Sequence, residues 1–224
     1  MVDGRVMIDI IYEDNHLLVV NKPINVLVQG DSTSDKDLLS LLKDDIKKRY
    51  HKPGNVYLGL IHRLDRPVSG VMVFAKTSKA ASRLSEQVRT HQLKKVYLAV
   101  VLGSFDKKSG TFIDYLWKDE RTNTVYVDSK KGKESILEYV VLGERNGYSL
   151  VKIFLKTGRS HQIRVQFSSR GHALYGDQRY NRSSEVGEQI ALFATSLSFF
   201  HPVTKEKMTF DKKPPSKYPW NLFH

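Results

Sequence analysis

The chain has 224 residues and no cysteine, and 40% of its residues are hydrophobic. These values predict a globular protein of one or two domains and exclude disulfides, thiolate metal sites and cysteine nucleophiles. A formal net charge of +12 favours a polyanionic partner such as nucleic acid, although a solvated basic surface would give the same charge. No apolar run approaches the roughly 20 residues of a membrane helix, and the N-terminus lacks a signal-peptide pattern. We therefore expect a cytoplasmic protein.

The first hundred residues alternate between short strands and helices. Apolar runs bounded by turn residues predict strands at 8–12, 17–21, 26–28, 56–61, 71–75 and 96–102. Leucines at helical spacing predict a helix that is capped by Asp35 and runs to about Tyr50. A second helix is expected to begin with Ser78 as its N-cap.

The remainder of the chain is predicted to be mostly β. Asn146-Gly147 separates two apolar runs, a strong signal for a hairpin. Ser160 is the expected N-cap of a short helix from His161 to about Ser169, and strands are predicted at 191–199 and 208–210. This order of elements predicts one α+β domain over residues 1–224, with a mostly antiparallel or mixed sheet in two lobes.

Reactive side chains concentrate in two segments, His62-Arg63-Leu64-Asp65 and Gly158-Arg159-Ser160-His161-Gln162-Ile163-Arg164. An ionised aspartate and an arginine are a plausible nucleophile and charge partner. An aspartate before Arg-Pro could equally cap a tight turn. The tetrapeptide does not indicate a protein kinase, because the glycine-rich loop and the Asp-Phe-Gly motif of kinases are missing.

The second segment offers basic groups on one helix face. His161 and Arg164 are three residues apart, with Arg159 at the entrance of the helix. A basic surface helix would show the same pattern, but an arginine between Ile163 and Val165 is a poor choice for packing alone. No spacing in the sequence matches a metal site or a phosphate-binding glycine loop, so no metal is predicted.

These segments resemble the signature motifs of the RluA-type pseudouridine synthases. The similarity extends from about residue 11 to residue 210, and its most specific parts are His62–Gly70, Gly158–Val165 and Gly171–Asp177, with a weaker match at Asn21-Lys22-Pro23. The chain departs from the family pattern in having Asn25 where glycine is usual, and Val68 and Ser160 where threonine is common.

The resemblance implies the pseudouridine synthase fold, with a catalytic cleft and flanking helices, and conversion of uridine to pseudouridine in RNA without a cofactor. It implies that Asp65 is the nucleophile, that Arg164 pairs with it, and that Tyr97 stacks on the base near the proton that leaves carbon-5. Further substrate contacts are expected from a set of flanking residues: His62, Arg63, Arg159, His161 and Leu192. Arg63 would fill the space left by the extruded nucleotide and Leu192 would line the pocket.

The catalytic pattern starts within the first dozen residues, so we expect no N-terminal RNA-binding module. The expected partner is an rRNA or tRNA stem-loop, bound by a monomer. Two alternatives remain: a non-catalytic RNA-binding protein on the same fold, and a glycosidase. The intact Asp65, Tyr97 and Arg164 disfavour the first, and the lack of an evident second carboxylate disfavours the second.

Overall fold

The computed structural model describes residues 8–30 and 36–223. Its described residues form two compact units. The first unit contains the residues up to Leu93 together with Ser196–Lys212, and the second contains Lys94–Thr195 and the residues from Lys213 onwards. The structure has the predicted α+β class, and the fold prediction is therefore confirmed.

The first unit is built on antiparallel strands. Its strands are β1 (Asp9–Glu13), β2 (Leu17–Lys22), β3 (Gly59–Leu60) and β4 (Ser69–Ala75), followed much later by β11 (Lys207–Asp211) and the second half of β10 (Leu192–Phe200). β2 pairs with both β1 and β4, β3 pairs with β4, and β10 pairs with β11. β2 and β4 are buried on both faces, which explains why they appear in the sequence as continuous apolar runs.

Two helices belong to the first unit, α1 (Leu38–Arg49) and α2 (Ser78–Arg89). Leu84 of α2 packs into a core that includes Val19 of β2 and Val73 of β4. Leu197 and Phe199 of β10 lie in the same core, so this unit depends on chain segments that are far apart in sequence.

Four details of the first unit differ from the predictions. The strand predicted at 56–61 is limited to Gly59–Leu60. Residues 26–28 do not form a strand, because the carbonyls of Leu27 and Val28 accept hydrogen bonds from the first amides of α1 instead of joining a ladder. The N-cap of α1 is Asp37, whose carboxylate accepts from the Ser40 amide, and Asp35 lies outside the described residues. The N-cap of α2 is Thr77 rather than Ser78.

The second unit is an antiparallel sheet in the order β5-β9-β8-β6-β7. These strands are β5 (Lys94–Leu102), β6 (Ser109–Asp119), β7 (Thr124–Val127), β8 (Lys133–Arg145) and β9 (Tyr148–Leu155). Asn146 and Gly147 join β8 to β9 with φ of 52° and 78°, which confirms the predicted hairpin.

Helix α3 (Gln162–Ser168) lies against one face of this second sheet. The ring of Phe167 packs edge-on against Phe112 of β6 and Tyr139 of β8, with centroid distances of 5.1 and 6.0 Å. The opposite face carries a core that includes Val100, Phe193 and Trp220, the last at the start of a short 3-10 helix, Trp220–Phe223. No helix in the described part of the chain is long and apolar enough to cross a membrane.

Candidate active site

Asp65 lies on a tight turn between β3 and β4. The Val68 amide donates to the Asp65 carbonyl at 3.0 Å and closes the turn. Leu64 and Val68 are buried on either side, so they anchor the backbone while the Asp65 side chain stays partly exposed. Arg63 next to it is exposed to solvent. The apolar residues of the motif thus fix the position of the one carboxylate that it contains.

Lys22, at the end of β2, stabilises this turn through hydrogen bonds from the protein interior. The side chain is completely buried, and its Nζ donates to the carbonyls of Pro23, Arg66 and Val68 at 2.9, 3.0 and 2.8 Å. Burial lowers the pKa of the Lys22 ammonium to about 7, and attraction to the Asp65 carboxylate opposes this shift. The weak Asn-Lys-Pro match therefore contains a residue that shapes the turn of the proposed nucleophile.

His62 and Asn25 also support this turn. His62 is mostly buried, and its Nε2 accepts a hydrogen bond from the Val73 amide of β4 at 3.2 Å. Asn25 has φ of 60°, the left-handed conformation that glycine adopts at no steric cost and asparagine tolerates well. Its carbonyl accepts from Arg66 Nε at 3.2 Å, so the departure from glycine leaves the local backbone intact.

The second unit places Arg164 in a buried hydrogen-bonded network on α3. Its Nε donates to Oδ2 of Asp177 at 2.8 Å and its Nη2 donates to Oδ1 at 2.7 Å. Both side chains are almost fully buried, with 7% and 0% exposure. Two of the five guanidinium donors are thus used on one carboxylate, and this bidentate contact fixes the plane of the guanidinium.

Tyr180 covers the same guanidinium. The Cζ atom of Arg164 lies 5.1 Å from the centroid of the Tyr180 ring. The Tyr180 hydroxyl accepts from the Val125 amide at 2.9 Å and lies 2.6 Å from Nδ1 of His161. Burial raises the pKa of the Tyr180 hydroxyl. Arg164 and His161, predicted to share a helix face, are therefore joined through an aromatic residue that the sequence analysis missed.

The helix that carries Arg164 does not begin as predicted. Ser160 is exposed, and the N-cap is His161, which has φ of 51° and makes no side-chain capping bond. Gln162, the first residue of α3, binds the preceding loop instead: its Oε1 accepts from the Thr157 hydroxyl and the Arg159 amide, and its Nε2 donates to the Ile136 carbonyl. A buried amide thus fixes the loop that leads into α3.

Asp177 is positioned by a glycine. Gly176 has φ of 69°, and a Cβ there would lie 2.4 Å from the carbonyl oxygen of Gln189. Only glycine fits both conditions. Gly176 and Asp177 stand in the second motif, so their presence in the sequence could have indicated a partner for Arg164. The separation of thirteen positions between Arg164 and Asp177 hid the contact.

The remaining predicted site residues differ in how exposed they are. Tyr97 is buried in β5, and Leu192 is buried at the start of β10. Arg159 is exposed, and its Nε donates to the Glu134 carbonyl at 3.2 Å. Asp65, His62 and Arg63 belong to the first unit, and the remaining candidates belong to the second. Within the described ranges, no three His, Asp or Glu side chains form a group that could hold a metal ion.

Comparison with known proteins shows that the chain is similar to RNA pseudouridine synthases. A family model described as RNA pseudouridylate synthase matches residues 16–169. The ribosomal large subunit pseudouridine synthase D of Zymomonas mobilis is 32% identical over 220 residues, which cover 93% of this chain and 69% of the relative. The tRNA pseudouridine synthase C of Haemophilus influenzae is 34% identical and covers 91% of both chains. The chain spans about two thirds of the length of several other curated relatives that it matches.

The fold is also similar to that of a solved structure with a related name. The human RNA pseudouridylate synthase domain containing 1 superposes with a TM-score of 0.76 at 26% identity, covering 96% of this chain and 87% of the human one.

Proposed function

Because the chain belongs to the RNA pseudouridylate synthase family, we propose that Asp65 is the nucleophile with which this RNA pseudouridine synthase converts uridine to pseudouridine. The observation that carries the proposal is the turn around Asp65, where a buried lysine and two buried apolar residues hold the backbone and leave the carboxylate partly exposed. Three routes use this carboxylate: attack on the uracil ring, attack on the glycosidic carbon, and assistance of glycosidic cleavage.

We assign the remaining roles as the family resemblance suggests. Arg164 is the charge partner of Asp65, and its rigid contact with Asp177 supports a role that needs a fixed guanidinium. Tyr97 stacks on the uracil and lies near the carbon-5 proton. Arg63, exposed beside Asp65, fills the gap left by the extruded nucleotide. Substrate contacts are assigned to His62, Arg159, His161 and Leu192.

The proposed substrate is a stem-loop of ribosomal or transfer RNA. The named relatives act on the ribosomal large subunit and on tRNA. A stacked, paired uridine hides its reactive atoms, so the base must be extruded, and extrusion costs least from a loop or bulge. The net charge of +12 supplies attraction to the phosphates. We further propose that residues 1–224 act as one catalytic domain, as a monomer, in the cytoplasm.

The direct test is to map pseudouridines in total RNA from cells with and without this protein, and then to treat the matching synthetic stem-loop with purified enzyme. We expect one or a few uridines to lose the modification in its absence and to regain it in vitro. Unchanged uridine in both experiments would favour a binding protein. Release of free uracil would favour a glycosidase.

A further inference from the structure

Lys95 lies on the same sheet face as Tyr97. Side chains two residues apart in a strand point to the same side, and Lys95 is the second residue of β5. Tyr97 is paired with Ile153, and Ile153 is paired with Tyr139, whose ring packs against Phe167 of α3. Because directly paired residues share a face, Lys95 and Tyr97 are on the face that α3 covers.

The ammonium of Lys95 reaches the loop that precedes α3. A Cβ built on Gly158 would lie 3.1 Å from Nζ of Lys95, so a side chain at position 158 would press on the ammonium and cover it. Gly158 does not adopt a positive φ. The backbone therefore does not require glycine here, and the feature that the glycine provides is room for the lysine.

Lys95 has no compensating partner among residues 8–30 and 36–223. Its ammonium makes no hydrogen bond or ion pair with any of them, and burial alone lowers the pKa of that ammonium. Other inward-pointing lysines differ: Lys22 donates to three carbonyls, and Lys76, 13% exposed, pairs with Glu13 at 2.7 Å. A partly desolvated ammonium without a partner favours an anion from outside the protein.

Arg159 adds a second uncompensated cation one residue from Gly158. Its guanidinium donates to a backbone carbonyl, that of Glu134, and it forms no ion pair with a carboxylate in the described part of the chain. Two cations thus flank Gly158, one half-buried on β5 and the other exposed to solvent.

We propose that Lys95, with Arg159 beside it, binds a phosphate of the RNA backbone next to the uridine that Tyr97 contacts. This inference rests on the proposed function, because RNA supplies the anion. The phosphate would approach over Gly158, where the absence of a side chain leaves the Lys95 ammonium accessible. Lys95 would then be a substrate-binding residue, paired with an anion only when RNA is bound.

The test is the salt dependence of RNA binding by Lys95→Met, with Lys94→Met as its control. Lys94 is the exposed neighbour on the opposite side of β5, so both variants remove one charge from adjacent positions. For a fluorescein-labelled stem-loop RNA, we expect Lys95→Met to weaken binding roughly tenfold, the size of one lost charge-assisted hydrogen bond. The slope of log K against log salt should become shallower by about 0.7 to 0.9. Lys94→Met should change both values less.

A second variant reports on the geometry. Gly158→Ala should weaken binding, because its methyl group would lie 3.1 Å from the Lys95 ammonium and obstruct a phosphate that approaches over position 158. It should have little further effect when combined with Lys95→Met. Equal slopes for wild type, Lys95→Met and Lys94→Met would overturn the phosphate site, as would fully additive effects of Gly158→Ala and Lys95→Met. Thermal unfolding of each variant confirms that the folded protein is being measured.

The outcomes also separate this inference from the proposed function. An active wild-type enzyme whose salt slope does not respond to Lys95→Met would reject the phosphate site alone. A wild-type protein that makes no pseudouridine, but whose RNA binding depends on Lys95 as described, would reject the proposed function and retain the anion site. Failure of the wild-type protein to bind RNA would reject both.

Discussion

The guanidinium of Arg164 and the carboxylate of Asp177 form a buried bidentate pair, with Nε 2.8 Å from Oδ2 and Nη2 2.7 Å from Oδ1. We expect Asp177→Asn to lower the turnover of the enzyme and to destabilise the fold by about 3 to 5 kcal/mol, because it leaves a buried arginine charge without its partner. Urea unfolding and pseudouridine formation measure the two effects.

The chain offers a matched control for this variant. Asp114 pairs with Arg170 in the same unit through two similar contacts, but Arg170 is 31% exposed. Asp114→Asn should therefore have a smaller effect on both measurements. Equal loss of activity in the two variants would mean that Asp177 supports the fold generally rather than the position of Arg164.

Asp65→Asn should bind RNA nearly as well as the wild type and show no measurable turnover. Asparagine keeps the shape of the side chain and removes the nucleophilic carboxylate. Tritium release from RNA labelled at uridine carbon-5 measures turnover, and a parallel titration measures affinity. Asp106→Asn, which changes an exposed aspartate, is the charge-matched control. Substantial tritium release by Asp65→Asn would reject Asp65 as the nucleophile.

Tyr97→Phe should retain RNA affinity but turn over far more slowly than the wild type. The phenyl ring keeps the stacking surface and the buried packing, and only the hydroxyl is lost. Tyr139→Phe is the control, because Tyr139 lies on the same sheet face and its hydroxyl donates to the Lys107 carbonyl over a long 3.4 Å. Equal single-turnover rates for the two variants would leave Tyr97 as a packing residue.

The lowered pKa of Lys22 predicts that the stability of the protein depends on pH. Its pKa is about 7 in the folded protein against an ordinary value of 10.5, so the unfolded chain binds more protons between these pH values. Stability should therefore rise with pH across this window, by up to about 1.4 kcal/mol per pH unit. The same gain should be lost progressively as pH falls from about 10.5 to about 7, and it should change little at lower pH.

Lys22→Met removes the titrating group. The free energy of unfolding in urea, measured from pH 7 to pH 10 for wild type and variant, should give a difference that changes in favour of the wild type as pH rises. Lys48→Met, which removes an exposed lysine of α1, corrects for the loss of a charge. A difference that stays constant across the window would show that Lys22 keeps an ordinary pKa.

The sequence predicted most elements correctly because their signals are local. The Asn146-Gly147 hairpin and the apolar runs of β2 and β4 depend on residues within a few positions of one another. The strand predicted at residues 26–28 was wrong, because its apolar side chains gave no sign that its carbonyls would bind the start of a helix.

The candidate site could be inferred from the sequence only in part, for a similar reason. The first motif contains Asp65 and the second contains Arg164, but neither motif showed that contact partners of these residues come from elsewhere. Lys22 reaches the Asp65 turn across more than forty residues, and Tyr180 reaches Arg164 across sixteen. Such contacts depend on the fold, and no local spacing encodes them.

The division of β10 between the two units has a consequence for synthesis of the protein. Leu197 and Phe199 pack with Val19 of β2 and Leu84 of α2 in one core, although β2 is made first and β10 nearly last. The first ninety residues therefore emerge from the ribosome well before the strand that completes their core. While translation continues, apolar side chains of the first unit stay accessible, and a chaperone bound to the nascent chain would protect them during that interval.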